Sequence, residues 1–263
     1  MNRIKKLFLK LNEKEKKAFI AYFVAGDPNI SSTLINMHLM VSKGVDLLEL
    51  GVAFSDPMAE GQTIQRAHER ALAKGITLKK TLNLVKEFRR KDQLTPIVLM
   101  GYLNPFEAMG ADNFFKEAHS SGVDGILIVD MPPQESKYFT KISKKFDIDI
   151  IRLIAPTTSS TRIEEICKGA SGYIYYISLK GITGADTLKV REVKKRIKIL
   201  SRATDLPIVI GFGIKEGSMV RSVKNLADGI VVGSALVDII SKERVNMNTK
   251  LTQKVEELAE ALN

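Results

Sequence analysis

One acid, Glu49, interrupts the apolar run Asp46-Leu47-Leu48-Glu49-Leu50-Gly51. A carboxylate set in such a run and aimed into a cleft loses hydration. Its ionised form is then disfavoured and its pKa rises toward the range useful for proton transfer. The plainer reading is a structural carboxylate paired with a lysine or with Arg152, since ion-pair networks also perturb such groups. Two glycine-bearing segments offer a different chemistry. Gly211-Phe212-Gly213-Ile214 and Gly233-Ser234-Ala235 each end a β-rich run. Glycine lets backbone N–H groups approach an anion closely, and a helix starting at Ser234 would add its positive end. The alternative is a pair of tight turns.

Other chemistries lack their residues. A Schiff-base aldolase needs a lysine on an inward-facing strand, and none of the β-rich runs contains one. A metal-dependent aldolase needs clustered ligands. His38, His68 and His119 all fall in predicted outer helices, where solvated or core-edge roles are expected. Cys167 is the only cysteine, so no disulfide forms within one chain. A reducing cytoplasm is the natural setting. What remains is carboxylate acid–base chemistry on a substrate that supplies its own electron sink.

The elements that must position these residues are legible as eight short runs: Phe19–Val24, Asp46–Leu50, Pro96–Met100, Gly125–Val129, Ile150–Leu153, Tyr173–Ser178, Pro207–Gly211 and Gly229–Val232. Their cores lack polar alternation, as in strands buried on both faces of a parallel sheet. Segments with helical spacing lie between them, such as Leu34, Met37, His38 and Val41 before Gly44, or Ile64, Ala67, Ala71 and Leu72 before Gly75. Eight alternating units suit a closed barrel or an open doubly wound sheet; the count of eight and the lack of a Pro/Gly-rich linker favour closure, and predict an α/β fold with one (β/α)8 TIM barrel domain spanning residues 1–263. Extra helices are expected at the N-terminus (Asn2–Lys17), after the second strand (Leu78–Arg90) and at the C-terminus (Asn246–Leu262). The N-terminal one reads as an amphipathic helix lying against the body. In such barrels the active site forms at the C-terminal strand ends. That restricts attention to Gly26-Asp27, Glu49 through Glu60, Gly101-Tyr102, Asp130, Ala155-Pro156, Ser178 through Asp186, and the two glycine segments. Loops after strands seven and eight are the common phosphate site.

Composition is that of an ordinary globular chain: 44% hydrophobic and 27% charged over 263 residues. No apolar run is long enough for a membrane helix. Net charge is +10, which suits attraction to anions or a lysine-rich solvated surface. The basic clusters, such as Lys144-Lys145 and Lys194-Lys195-Arg196, lie in predicted helices without interleaved aromatics, so nucleic acid is not an expected partner.

The segment Glu49-Leu50-Gly51-Val52-Ala53-Phe54-Ser55-Asp56-Pro57-Met58-Ala59-Glu60-Gly61 resembles the signature of the tryptophan synthase α-subunit family. The similarity spans nearly the whole chain, through Gly26-Asp27-Pro28, Tyr102-Leu103-Asn104-Pro105, Asp130-Met131-Pro132, Gly181-Ile182-Thr183-Gly184 and both glycine segments. The resemblance implies retro-aldol cleavage of indole-3-glycerol phosphate to indole and glyceraldehyde 3-phosphate, in the last steps of tryptophan biosynthesis. It makes Glu49 the general acid–base and Glu60 the acceptor for the indole N–H. Thr183 would orient that second carboxylate. Phosphate would rest on Gly184, Gly213, Gly233 and Ser234. Tyr22, Met100, Tyr102, Leu127, Val129, Leu153, Tyr175 and Phe212 would line the substrate slot. The implied partner is a pyridoxal-phosphate-dependent β subunit in an α2β2 assembly, docked on loops carrying Asp56, Pro57, Asn104 and Pro105. No cofactor is expected in this chain.

Departures from the family pattern fall in one loop. Glu60 stands where the family has Asp, Ala53 where Pro is usual, and Gln62 in place of another Pro. The extra carbon–carbon bond of about 1.5 Å moves the carboxylate by roughly 1 Å or more. Displacement on that scale can cost on the order of 100-fold in rate, and two fewer prolines make the loop costlier to order. The expectation is a slower lyase or one that depends on its partner to order the loop. The alternatives are a weakly active or inactive allosteric subunit that binds phosphate ligand, and another phosphate-binding barrel enzyme. Glu49 together with Gly-Ile-Thr-Gly argues against the last.

Overall fold

The computed structural model describes residues 2–177, 187–211, 213–242 and 245–263. Eight strands form β1 (Ala18–Val24), β2 (Leu47–Gly51), β3 (Ile97–Gly101), β4 (Gly125–Ile128), β5 (Asp149–Ile154), β6 (Ile174–Ile177), β7 (Ile208–Gly211) and β8 (Gly229–Val232). All pair in parallel in chain order, and β8 closes onto β1. The sequence places every strand to within two residues.

Helices α1 (Arg3–Glu13), α2 (Ile30–Ser42), α3 (Gln62–Ala73), α4 (Leu78–Arg89), α5 (Leu103–Met109), α6 (Ala111–Ser121), α7 (Lys137–Lys145), α8 (Ser160–Lys168), α9 (Thr187–Ala203), α10 (Gly217–Val223), α11 (Ser234–Lys242) and α12 (Met247–Leu262) accompany the barrel. The expected extra helices are α1, α4 and α12. The short α5 is an addition. Its sequence Leu-Asn-Pro-Phe reads as a turn, but proline in a first helical turn forfeits no hydrogen bond. Asn104 and Pro105 therefore sit in a helix, not in the loop that the sequence reading assigns them.

Helix α1 ends at Glu13, short of the expected Lys17, and does more than lie against the body. Asn2 caps it by accepting from Lys5 N–H at 3.1 Å, and Ile4, Phe8 and Leu11 are buried. A Cβ added to Gly125 would meet the Ile4 side chain at 3.0 Å, and the Phe8 ring lies 5.9 Å from that of Tyr173. The helix plugs the N-terminal end of the barrel.

A repeating device closes that same end. Asp46 Oδ2 accepts from Phe19 N–H, Asp124 Oδ2 from Ile97 N–H, Ser171 Oγ from Ile150 N–H and Asp228 Oδ2 from Ile208 N–H, all at 2.8–2.9 Å. Each acceptor precedes an even-numbered strand and satisfies the first or second amide of the odd-numbered strand before it. Left unpaired, each of those amides would cost about 1–3 kcal/mol of desolvation.

Candidate active site

Side chains alternate across a strand. A Cβ on Gly125 would meet Ile151 and Val98 across the lumen, so Leu127, Leu153 and Met100, two residues further on, also point inward. Leu127 is sealed, whereas Met100, Val129, Leu153 and Tyr175 are only partly covered. The lumen is thus filled at one end and opens into an apolar cup at the C-terminal strand ends. Leu127 is its floor rather than its wall.

Glu49 lies on β2, opposite Tyr22 on one side and Val98 on the other. It is fully buried. Its Oε1 accepts from the Tyr173 hydroxyl at 3.2 Å, and its Oε2 has no hydrogen-bond partner among the described residues. Burial pushes its pKa up to about 8; the Tyr173 bond opposes that rise and the Glu60 charge adds to it. The expected alternative, a pairing with Arg152, is not what the structure holds: Arg152 is buried and, among the described residues, donates only a long bond, 3.4 Å, to the Met131 carbonyl. Tyr22, Tyr173 and Tyr175 are held well above their usual pKa, first by burial and then by the carboxylates. They remain neutral hydroxyls around the acid.

Glu60 stands at the end of the loop after β2, half-buried, and its carboxylate makes no hydrogen bond or ion pair among the described residues. Burial raises its pKa to about 7. Its position comes from backbone. The Glu60 N–H donates to the Pro57 carbonyl at 3.1 Å, and Gln65 Nε2 donates to the Glu60 carbonyl at 2.9 Å. Gln62 opens α3, a first-turn position that proline would also fit.

Tyr102, expected in the substrate slot, is buried and turned to the loop. Its hydroxyl accepts from Ala59 N–H at 3.0 Å, and its ring stacks on Phe54 at 5.3 Å. At the loop's start, Phe54 N–H donates to His68 Nδ1 at 3.0 Å. His68 is therefore not a solvated or core-edge residue; it is 2% exposed. The sequence signal was there, because His68 continues the stripe Ile64, Ala67, His68, Ala71 at helical spacing. Between the two contacts, Asp56 and Met58 are exposed and Pro57 is buried. Asn104 is exposed on the neighbouring α5.

The glycines acquire a reason that neither sequence reading offered. A Cβ on Gly51 would lie 2.7 Å from the Tyr22 hydroxyl, one on Gly233 would lie 3.0 Å from the Tyr22 ring, and one on Gly211 would overlap the Tyr175 hydroxyl. Three strand-end glycines make room for two inward tyrosines. Gly213 differs: its φ is +61°, and open space faces its α-carbon. The Gly233 carbonyl accepts from Leu236 and Val237, so α11 begins there and its first amides lack intrahelical partners. Thr183, Gly184 and Phe212 lie outside the described residues. Two other mouth residues are occupied elsewhere. Asp27 forms a two-pronged pair with Arg70 at 2.8 Å, and Asp130 Oδ1 accepts from Leu103 N–H at 2.8 Å.

A hollow of about 630 Å³ opens at the N-terminal end between α1 and the strand starts. Its carboxylates Asp46 and Asp124 are already engaged by backbone amides and arginines. Among the described residues, no helix is long and apolar enough to cross a membrane, and no three His, Cys, Asp or Glu side chains gather as a metal site would need.

A family model described as tryptophan synthase alpha chain matches residues 8–263. The tryptophan synthase alpha chain of Dechloromonas aromatica (strain RCB) is 50% identical over 92% of this chain and 90% of its own length. That of Azoarcus sp. (strain BH72) is 46% identical over 100% and 97%. The crystal structure of tryptophan synthase subunit alpha from Legionella pneumophila str. Paris matches with a TM-score of 0.92 at 41% identity, covering 100% of this chain and 98% of that one. A chain of the tryptophan synthase complex from Pyrococcus furiosus matches with a TM-score of 0.85 at 39% identity, over 93% and 99%.

Proposed function

The chain belongs to the tryptophan synthase alpha chain family, which supplies the indole-3-glycerol phosphate lyase activity of tryptophan synthase, and from that premise we propose that Glu49 and Glu60 carry out the cleavage. The observation behind this is the fully buried Glu49, with one oxygen bonded to Tyr173 and the other without a hydrogen-bond partner among the described residues. A pKa of about 8 keeps it protonated at neutral pH. Glu49 then donates its proton to indole C3. The ring nitrogen takes up positive charge, and Glu60 accepts a hydrogen bond from its N–H. The bond from C3 to the side chain breaks with its electron pair returning to the ring, which restores indole. The adjacent hydroxyl carbon becomes the aldehyde of glyceraldehyde 3-phosphate, and its O–H proton passes to the Glu49 carboxylate, resetting the acid.

Met100, Leu127, Tyr22 and Tyr175 shape the apolar slot for the indole. The open backbone at Gly213 and the start of α11 at Gly233-Ser234 receive the phosphate. Gly184 and Phe212 would extend the phosphate and indole contacts, and Thr183 would orient Glu60. Asp56, Pro57 and the α5 residues Asn104 and Pro105 form the docking face for a β subunit, which brings its own pyridoxal phosphate. The setting is the cytoplasm.

The test is to incubate the pure chain with indole-3-glycerol phosphate, with and without a cognate β subunit, and measure indole. Cleavage that the β subunit accelerates is expected. Ligand binding without indole in either mixture would leave the chain as an allosteric subunit, the reading that the longer Glu60 favours.

A further inference from the structure

The loop that carries Glu60 is fixed through its backbone at points on both sides of the docking residues. Phe54 N–H donates to His68 Nδ1, and Ala59 N–H donates to the Tyr102 hydroxyl, each at 3.0 Å. The Glu60 carboxylate has no partner of its own among the described residues, so its location follows from where these contacts place the chain. His68 is the more telling of the two. Nδ1 accepts, so the ring is neutral and its proton sits on Nε2. That Nε2 is buried with no hydrogen-bond partner among the described residues. A buried unpaired donor costs about 1–3 kcal/mol, and a side chain kept for packing alone would not carry one. The ring is spent on a single bond to the loop.

We propose that His68 is a positioning residue of the lyase: as a neutral acceptor for the Phe54 amide it sets the course of residues 54–60 and so the distance between the Glu60 and Glu49 carboxylates. The inference rests on the lyase reading and deepens it. It does not make His68 a catalytic residue, because nothing places the ring against substrate.

Side-chain chemistry supplies the test. In asparagine, Oδ1 branches from Cγ as Nδ1 does in histidine, so His68→Asn keeps an acceptor at nearly the same place. Glutamine carries its acceptor one bond further out, and leucine has none. In the full chain with β subunit present, His68→Asn should retain kcat within about 3-fold, while His68→Gln and His68→Leu lose about 10- to 100-fold with KM little changed. Amide exchange over residues 54–60 should quicken in the Gln and Leu variants and not in Asn. Equal losses in Asn and Gln, or a loss confined to KM, would overturn the proposal. Should His68→Leu fail to fold, the Asn and Gln pair decides alone. Absence of indole from the unsubstituted chain would instead sink the proposed function. The inference would then be judged on exchange, and unchanged exchange in His68→Gln would overturn it.

Discussion

At the N-terminal end of the barrel, Asp124 has both carboxylate oxygens engaged. Oδ1 accepts from Arg3, and Oδ2 accepts from Arg89 and from Ile97 N–H, at 2.8–2.9 Å. Arg89 in turn donates to the Gly122 and Thr95 carbonyls, and although burial lowers its pKa to about 10 it stays charged. In the candidate site, Glu49 has one oxygen bonded and the other without a partner, and the Glu60 carboxylate has neither oxygen engaged, among the described residues. Both places hold acids in a desolvated setting, and the mouth acid Asp27 is paired with Arg70 just as Asp124 is paired with its arginines, whereas Glu49 and Glu60 have no cationic partner among the described residues. A buried charge whose partners are all present holds strands in register. A buried acid without them is held neutral and ready to give up a proton when a ligand arrives. The difference separates a structural carboxylate from a catalytic one.

Substitutions at the two ends should therefore fail in opposite ways. Glu49→Gln keeps shape and removes the titrating proton. Indole formation should drop by about 10³- to 10⁴-fold while thermal unfolding shows an intact fold; a variant retaining a tenth of the rate would remove Glu49 from its role. Asp124→Ala strands Arg89 and the Ile97 amide. Urea titration should show a loss of about 3–5 kcal/mol, with kcat per folded molecule unchanged. A lowered kcat in the folded fraction would erase the contrast.

The pH dependence gives a third, smaller handle. The folded pKa of Glu49, about 8, lies above its unfolded value of 4.5, so between those values the native state holds a proton that the unfolded chain has released. Its burial costs nothing below pH 4.5, and stability falls as pH rises toward 8. Glu49→Gln should thus stabilise the protein by roughly 2–4 kcal/mol at pH 8 and not at pH 4. A pH-independent change in the melts would contradict it. His68 runs the other way. Burial holds its pKa at about 4 against a normal 6.5, so its contribution is lost as pH falls from 6.5 to 4. The smallest effect concerns the second carboxylate. Glu60→Asp withdraws the acid by about 1 Å and should raise kcat by about 10-fold; a fall would show that the loop has already adjusted to the longer side chain.

The strands and the helices with clear apolar stripes were readable because burial on both faces writes itself as unbroken Val, Ile and Leu. Glu49 was readable for the same reason, as an interruption of one such run. What escaped were contacts between elements far apart in the chain. Nothing local says that Tyr22 and Tyr175 need Gly51, Gly233 and Gly211, that the Tyr102 hydroxyl takes the Ala59 amide, or that His68 takes the Phe54 amide. Asn104 and Pro105 escaped for another reason, since Asn-Pro suits a turn and a first helical turn equally well. Thr183, Gly184 and Phe212 were assigned through family resemblance and stand outside the described residues.

The central claim is that burial inside the barrel keeps Glu49 protonated at neutral pH. Carbon-13 labelling of the glutamate side chains, with the Glu49 signal assigned by its loss in Glu49→Gln, lets its titration be followed directly. The account predicts a midpoint near 8. A midpoint near the ordinary 4.5 would mean that the carboxylate is charged in the free protein, and the acid–base role derived from its burial would not stand.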